Sequence, residues 1–185
     1  MRDLLLRSLA ALACLGIFSS SQISAASTSA QVNKPNFSGA WTLDLKASNS
    51  LELLMTQIGA GFLERKYAAW TKLTASLQQT EDVLKIAARG PGFSLDETLY
   101  LDGRSDSGDL QLLGATSLNT KTVWSKDNQQ LVEIHQIKTK QGKEGKLIIK
   151  RYLMDEGKTL VAVYSLQLNT EPNKTSAQQV WRKQV

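Results

Sequence analysis

The chain has 185 residues, 42% hydrophobic and 21% charged, with a formal net charge of +5. A length of this order suits one domain with its own core, and a mild positive balance with no aromatic ladder among the lysines excludes a single-strand nucleic-acid face. One cysteine, Cys14, and one histidine, His135, exclude a disulfide framework and a zinc site built from clustered His and Cys ligands.

The opening residues, MRDLLLRSLAALACLGIF, place Arg2 and Arg7 around an apolar run, and SSSQISAA supplies small residues after it. This is the composition of a cleavable signal peptide over residues 1–25, with Ala25 or Ala26 last before the cut. It predicts a secreted or periplasmic protein. Ala-Leu-Ala-Cys14 also offers a lipidation reading, although Cys14 stands inside the apolar run and Leu-Gly-Ile-Phe follows it. The run from Leu9 to Phe18 is shorter than the roughly 18 residues of a spanning helix, and no later stretch reaches that length, so no integral membrane segment is expected. Residues 26–36 are small and polar and read as a flexible leader, and the folded domain is expected over 37–185.

From Phe37 onward, short stretches rich in β-branched and aromatic residues recur between Gly, Asn and Asp, the pattern of an all-β meander. One segment breaks the rhythm. Leu51, Leu54, Met55, Ile58 and Phe62 fall at helical spacing, and Asn49 with Glu52 resembles a capping box. Gly59 and Gly61 interrupt, then Leu63, Tyr67 and Trp70 form a second stripe with Glu64, Arg65 and Lys66 facing away. The reading is a helix-turn-helix between the first two strands. Strands are predicted over Ser38–Lys46, Leu73–Thr80, Val83–Arg89, Ser94–Leu101, Leu110–Leu118, Thr120–Lys126, Gln130–Thr139, Gly145–Leu153, Thr159–Leu168 and Ser176–Lys183. Asp127-Asn128, Asp155-Glu-Gly157 and the stretch around Gly142 supply turns. Ten antiparallel strands with short connections satisfy their edges best as an up-and-down β-barrel.

The opening FSGAWTLDLKASNS leading into LELLMTQIGAGFLER resembles the start of the intracellular fatty-acid-binding and retinoid-binding proteins of the calycin group. That family begins with a Phe-x-Gly-x-Trp strand and enters a helix-turn-helix broken near a Gly-x-Gly and followed by Arg-Lys, here Arg65-Lys66. LIIKRYLMDEGKTLVAVYSL is similar to its antepenultimate and penultimate strands, and QQVWRK stands where it carries Arg-x-Tyr. FSGAWTLDLKAS and DEGKTL also resemble bacterial secreted lipocalin-like proteins. The resemblance implies a lipocalin-like barrel that shelters a small hydrophobic ligand. Two departures stand beside it. A signal peptide is foreign to the intracellular family, and of the two arginines and tyrosine that grip a ligand carboxylate, Arg151 matches the first arginine while Gln179 and Trp181 stand for the others.

Ile149, Arg151 and Leu153 share one strand face. Facing inward, Arg151 needs a protein carboxylate, ordered water or a ligand's anionic head beside it; at a barrel rim it is solvated. Gln179 and Trp181 share a face of the last strand, as Ala162, Tyr164 and Leu166 do in the one before. With Arg151 and Ile149 they form an amphipathic patch, either a ligand pocket or a filled core. Met55 and Phe62 extend it from the helices, as a lid over a hollow barrel or a cap on a filled one. Phe37 and Trp41 are expected to plug the closed end, and Trp124 faces either way. His135 has Glu133 on its own strand face as its one sequence-near carboxylate, too little for a catalytic constellation. Arg89-Gly-Pro-Gly92 lacks the strand-then-helix context of a phosphate loop. Lys138, Lys140, Lys143, Lys146 and Lys150 read as a solvated hairpin, and Asn36 and Asn173 head glycosylation sequons that matter only in a eukaryotic secretory pathway.

These observations predict a monomeric, non-enzymatic carrier of a small hydrophobic or weakly anionic ligand, with no cofactor, metal or nucleic-acid partner. The alternative is an interaction module or inhibitor on a filled barrel. An isomerase or hydrolase built around His135 is a third reading.

Overall fold

The computed structural model describes residues 33–106, 109–110 and 114–184, without the side chains of 67, 70, 109 and 110. The expected signal peptide and most of the leader lie outside the described residues. The elements are β1 (Gly39–Leu43), α1 (Glu52–Gln57), α2 (Phe62–Trp70), β2 (Thr74–Gln79), β3 (Val83–Gly90), β4 (Phe93–Tyr100), β5 (Ser105–Asp106), β6 (Asp109–Leu110), β7 (Ala115–Trp124), β8 (Leu131–Thr139), β9 (Glu144–Met154), β10 (Thr159–Leu168) and β11 (Thr175–Lys183). Every strand pairing is antiparallel. The sheet runs β4-β3-β2-β1-β11-β10-β9-β8-β7-β5, with β6 also on β7. Counting the two short pieces β5 and β6 as one strand, this is an all-β fold of ten antiparallel strands curled into a half-barrel. Two short helices stand between the first two strands. Among the described residues β4 and β5 do not pair, so the wall has a seam there.

Two expected strands are one. Over Leu110–Leu118 the chain reverses, because Leu110 pairs back onto Ala115, and β7 then runs unbroken through Asn119. Its register against β8 shifts between Ser117 and Asn119. This bulge changes the phase: Ala115 and Ser117 are buried before it, Leu118 is exposed within it, and Thr122 is buried after it. The turns fall as expected, with left-handed backbone at Asn128, Gly142 and Asp155 to Gly157.

The helical segment keeps only part of its predicted face. Leu51, Leu54, Met55 and Ile58 are buried, whereas Phe62 and Leu63 are 61% and 80% exposed. Gly59, at φ 86°, turns the chain after α1 and rotates α2 out of phase with the α1 stripe. Ser50, rather than Asn49, accepts the Glu52 N–H at 3.1 Å. Glu64 reaches back to accept the Gly61 N–H at 2.7 Å, and Arg65 donates to the Ala60 carbonyl at 2.7 Å.

The buried core falls into two clusters. One joins Leu54, Met55 and Ile58 of α1 and its C-terminal turn to Ile137, Leu147 and Leu166. The other gathers Phe37, Trp41 and Leu43 with Leu84, Leu131 and Leu160. Here the Trp41 indole N–H donates to the Phe37 carbonyl at 3.0 Å, and Phe37 stacks on Trp124. Gln79 accepts the Phe37 N–H and donates to the Pro35 carbonyl, which fixes where the domain starts.

Gly145 is tightly enclosed in the β9–β10 pairing. A Cβ there would stand 2.5 Å from the Gln167 carbonyl oxygen and 2.9 Å from Leu168 Cα, both backbone atoms. Gly145→Ala is therefore expected to destabilise the fold by about 1–3 kcal/mol, read by urea unfolding, as overpacking does.

Candidate functional site

Strand alternation and register decide which side chains meet inside the barrel. On β8, Leu131, Glu133, His135, Ile137 and Thr139 all point inward and are buried. On β9 the inward set is Leu147, Ile149 and Arg151; on β10 it is Leu160, Ala162, Tyr164 and Leu166. Ala162 pairs with both Arg151 and Gln179. Its small side chain leaves room between two long polar ones. Glu133 pairs with Ile149 and Leu131 with Arg151, so Glu133 and Arg151 are diagonal neighbours across β8 and β9.

The result is a polar belt between the two apolar clusters. Glu133 is fully buried, Arg151 is 8% exposed, and the Glu133 Oε1 carboxylate oxygen is ion-paired with Arg151 Nη1. Of the alternatives for an inward Arg151, the structure supplies the protein carboxylate. His135, 1% exposed, has Nε2 3.5 Å from Glu133 Oε2, beyond a good hydrogen bond. Its Nδ1 shares a 2.9 Å hydrogen bond with the Thr120 hydroxyl, which in turn bonds Ser117 Oγ at 2.8 Å. Burial holds the His135 pKa below that of a free imidazole, and the negative charge of Glu97 only partly offsets this. The Tyr164 hydroxyl donates to Gln179 Oε1 at 2.9 Å, and burial pushes its pKa up.

Two cavities adjoin the belt. An apolar one of about 130 Å³ lies beside α1, walled by Met55, Ala75, Ala88, Phe93, Ile149 and Trp181 and reached by Arg151, Tyr164 and Gln179. A polar one of about 270 Å³ lies at the seam, lined by Glu97, Tyr100, Arg104, Thr120, Thr122 and His135 among others. Asp96 and Glu97 line both.

Six of the seven residues singled out from the sequence, Met55, Ile149, Arg151, Tyr164, Gln179 and Trp181, line the apolar cavity together. Phe62 does not. It projects outward from α2, with the Arg65 guanidinium 5.9 Å and the Lys66 ammonium 5.7 Å from its ring. Glu133 as the partner of Arg151, and Glu97, Thr120 and Thr122, escaped sequence reasoning. The inward phase of β8 was ambiguous because Val132 and Ile134 compete with Leu131 and Ile137, and a bulge sets the phase of β7. Among the described residues no group of three or more His, Cys, Asp or Glu could hold a metal ion.

Glu133→Ala leaves the Arg151 guanidinium buried without its counter-charge and is expected to cost about 3–5 kcal/mol of unfolding free energy. Replacing both residues, Glu133→Leu with Arg151→Met, removes both charges and is expected to recover most of that loss. Urea unfolding of the three proteins checks both statements.

No family model and no curated protein matches the chain. Solved structures do match. The REP1-NXSQ fatty acid transporter aligns at 16% identity over 80% of this chain and 96% of its own, with a TM-score of 0.59. Apo Caenorhabditis elegans lipid binding protein 8 aligns at 16% identity over 80% and 95%, with a TM-score of 0.60. Human cRBP IV aligns at 19% identity over 81% and 99%, with a TM-score of 0.59. The chain therefore has the fold of the fatty-acid-binding and retinol-binding proteins, in line with the resemblance read from its sequence.

Proposed function

We propose that this protein binds and carries a small hydrophobic or amphipathic molecule inside its barrel, outside the cytoplasm. The observation that carries the reading is the apolar cavity of about 130 Å³, bounded by Met55 of α1 and by short side chains at Ala75, Ala88 and Ala162. Alanines at inward positions leave space that Leu or Ile would fill, and an apolar lining with a few convergent polar groups suits a small-molecule site. Solved structures with similar barrels include a fatty acid transporter and a Schistosoma mansoni fatty acid binding protein in complex with arachidonic acid, which supports a lipid-like ligand. Affinity would come chiefly from withdrawing apolar ligand surface from water, at roughly 25 cal/mol per Å². The extracytoplasmic placement rests on the signal-like residues 1–25.

The reading assigns no reaction. Thr120, His135 and Glu133 lie in the order of a nucleophile, a base and an orienting acid, but the Glu133 carboxylate is engaged by Arg151. A filled scaffold serving only as an interaction module would not need the cavity, which favours the carrier.

Ala88→Leu, which adds bulk into the apolar cavity, is expected to weaken binding of a neutral apolar dye such as Nile red by about tenfold or more. Its unfolding free energy should change by less than about 1 kcal/mol, where the same change in a filled core would cost about 1–3 kcal/mol. Fluorescence titration and urea unfolding read the two quantities.

A further inference from the structure

The charges inside the barrel bear on what polar end a ligand can carry. Resting on the carrier reading, we infer that the ligand's polar end is a basic, hydrogen-bond-donating nitrogen seated at Glu97, not a carboxylate.

The side chains facing the polar end of the interior can be counted by charge. Arg151 is the buried cation, and it is already paired with the buried Glu133. Burial lowers the His135 pKa, and Tyr164 and Gln179 are bonded to each other. Arg104 is drawn to Asp102 at 2.6 Å and lies over the Tyr100 ring, while the exposed Asp96 is paired with Arg89. Glu97 remains. It sits on the inward face of β4, lines both cavities, and forms no ion pair among the described residues. His135, whose Nε2 is buried without a hydrogen bond among the described residues, also lines the polar chamber. The Thr120 and Thr122 hydroxyls at the seam add acceptors, Asp106 lines the chamber with an interaction of its own, and Glu97 is left as the carboxylate there that forms no ion pair among the described residues.

A carboxylate in this chamber would lose water and meet Glu97 as a like charge, with Arg151 already neutralised. An ammonium or protonated amine would supply the cation that Glu97 lacks and donate to its oxygens. An alcohol would donate without compensating the charge and should fall between the two. The shared lining by Glu97 lets one molecule place its apolar portion beside Met55 and its polar end in the seam chamber.

The test compares decylamine, decanol and decanoic acid at neutral pH, each displacing Nile red from the folded protein, with wild type and Glu97→Gln. The expected result is an affinity order of amine, alcohol, acid, with amine and acid at least about tenfold apart. Glu97→Gln should remove that preference by weakening the amine while changing the alcohol by less than about threefold. The wild-type comparison stands even if the variant does not fold. Decanoic acid binding as well as the amine, or Glu97→Gln weakening all three alike, overturns the inference and leaves the carrier reading intact. If neither Nile red nor any of the three binds, the carrier reading itself fails, and the inference with it.

Discussion

The buried pair of Glu133 and Arg151 is the constraint around which the interior is arranged. Neither side chain can stand alone in a low-dielectric barrel, since an uncompensated buried charge costs several kcal/mol. Their pairing requires β8 and β9 to hold one register, with Leu131 opposite Arg151 and Glu133 opposite Ile149. A one-residue slip of β8 against β9 would turn Glu133 outward and Val132 and Ile134 inward, leaving Arg151 buried without its counter-charge. The pair thus specifies the alignment of the strands that carry the polar belt.

The fold and the ligand chemistry separate at this point. The half-barrel is that of the fatty-acid-binding and retinol-binding proteins, yet fold alone does not set function. In the family that the sequence resembles, an arginine at the place of Arg151 helps to grip a ligand's carboxylate. Here Glu133 supplies that negative charge from within the protein. Gln179, where the resemblance puts a second arginine, accepts from Tyr164 and adds no positive charge. The half-barrel keeps the fold of those proteins, while the charge of Arg151 is met from within the chain.

How much of this was legible in the sequence follows from what each signal depends on. Strands and turns were readable because alternation and left-handed turn residues act locally: Asn128, Gly142 and Gly157 mark turns on their own chemistry. The burial of Leu54, Met55 and Ile58 was readable from helical spacing. Phe62 broke the pattern because Gly59 turns the chain between the two helices, so spacing does not carry across it. The continuity of β7 was hidden by its bulge, since Ser117-Leu-Asn119 looks like a turn when only propensity is weighed. The pairing of Glu133 with Arg151 depends on strand register, which a single sequence does not encode in either strand by itself. That Arg151, Gln179 and Tyr164 would converge was legible, because strand faces and hairpin order bring them together. Which of them remained available to a ligand was not.

A carrier of this kind needs a hollow barrel that a small molecule occupies. Native mass spectrometry of the protein purified from the cells that make it reads this occupancy. The expected result is one added mass per chain that organic solvent removes and that behaves as a small amphipathic compound. A chain that carries no added mass, and gains none after incubation with apolar compounds, would contradict it and return the barrel to the role of a filled scaffold.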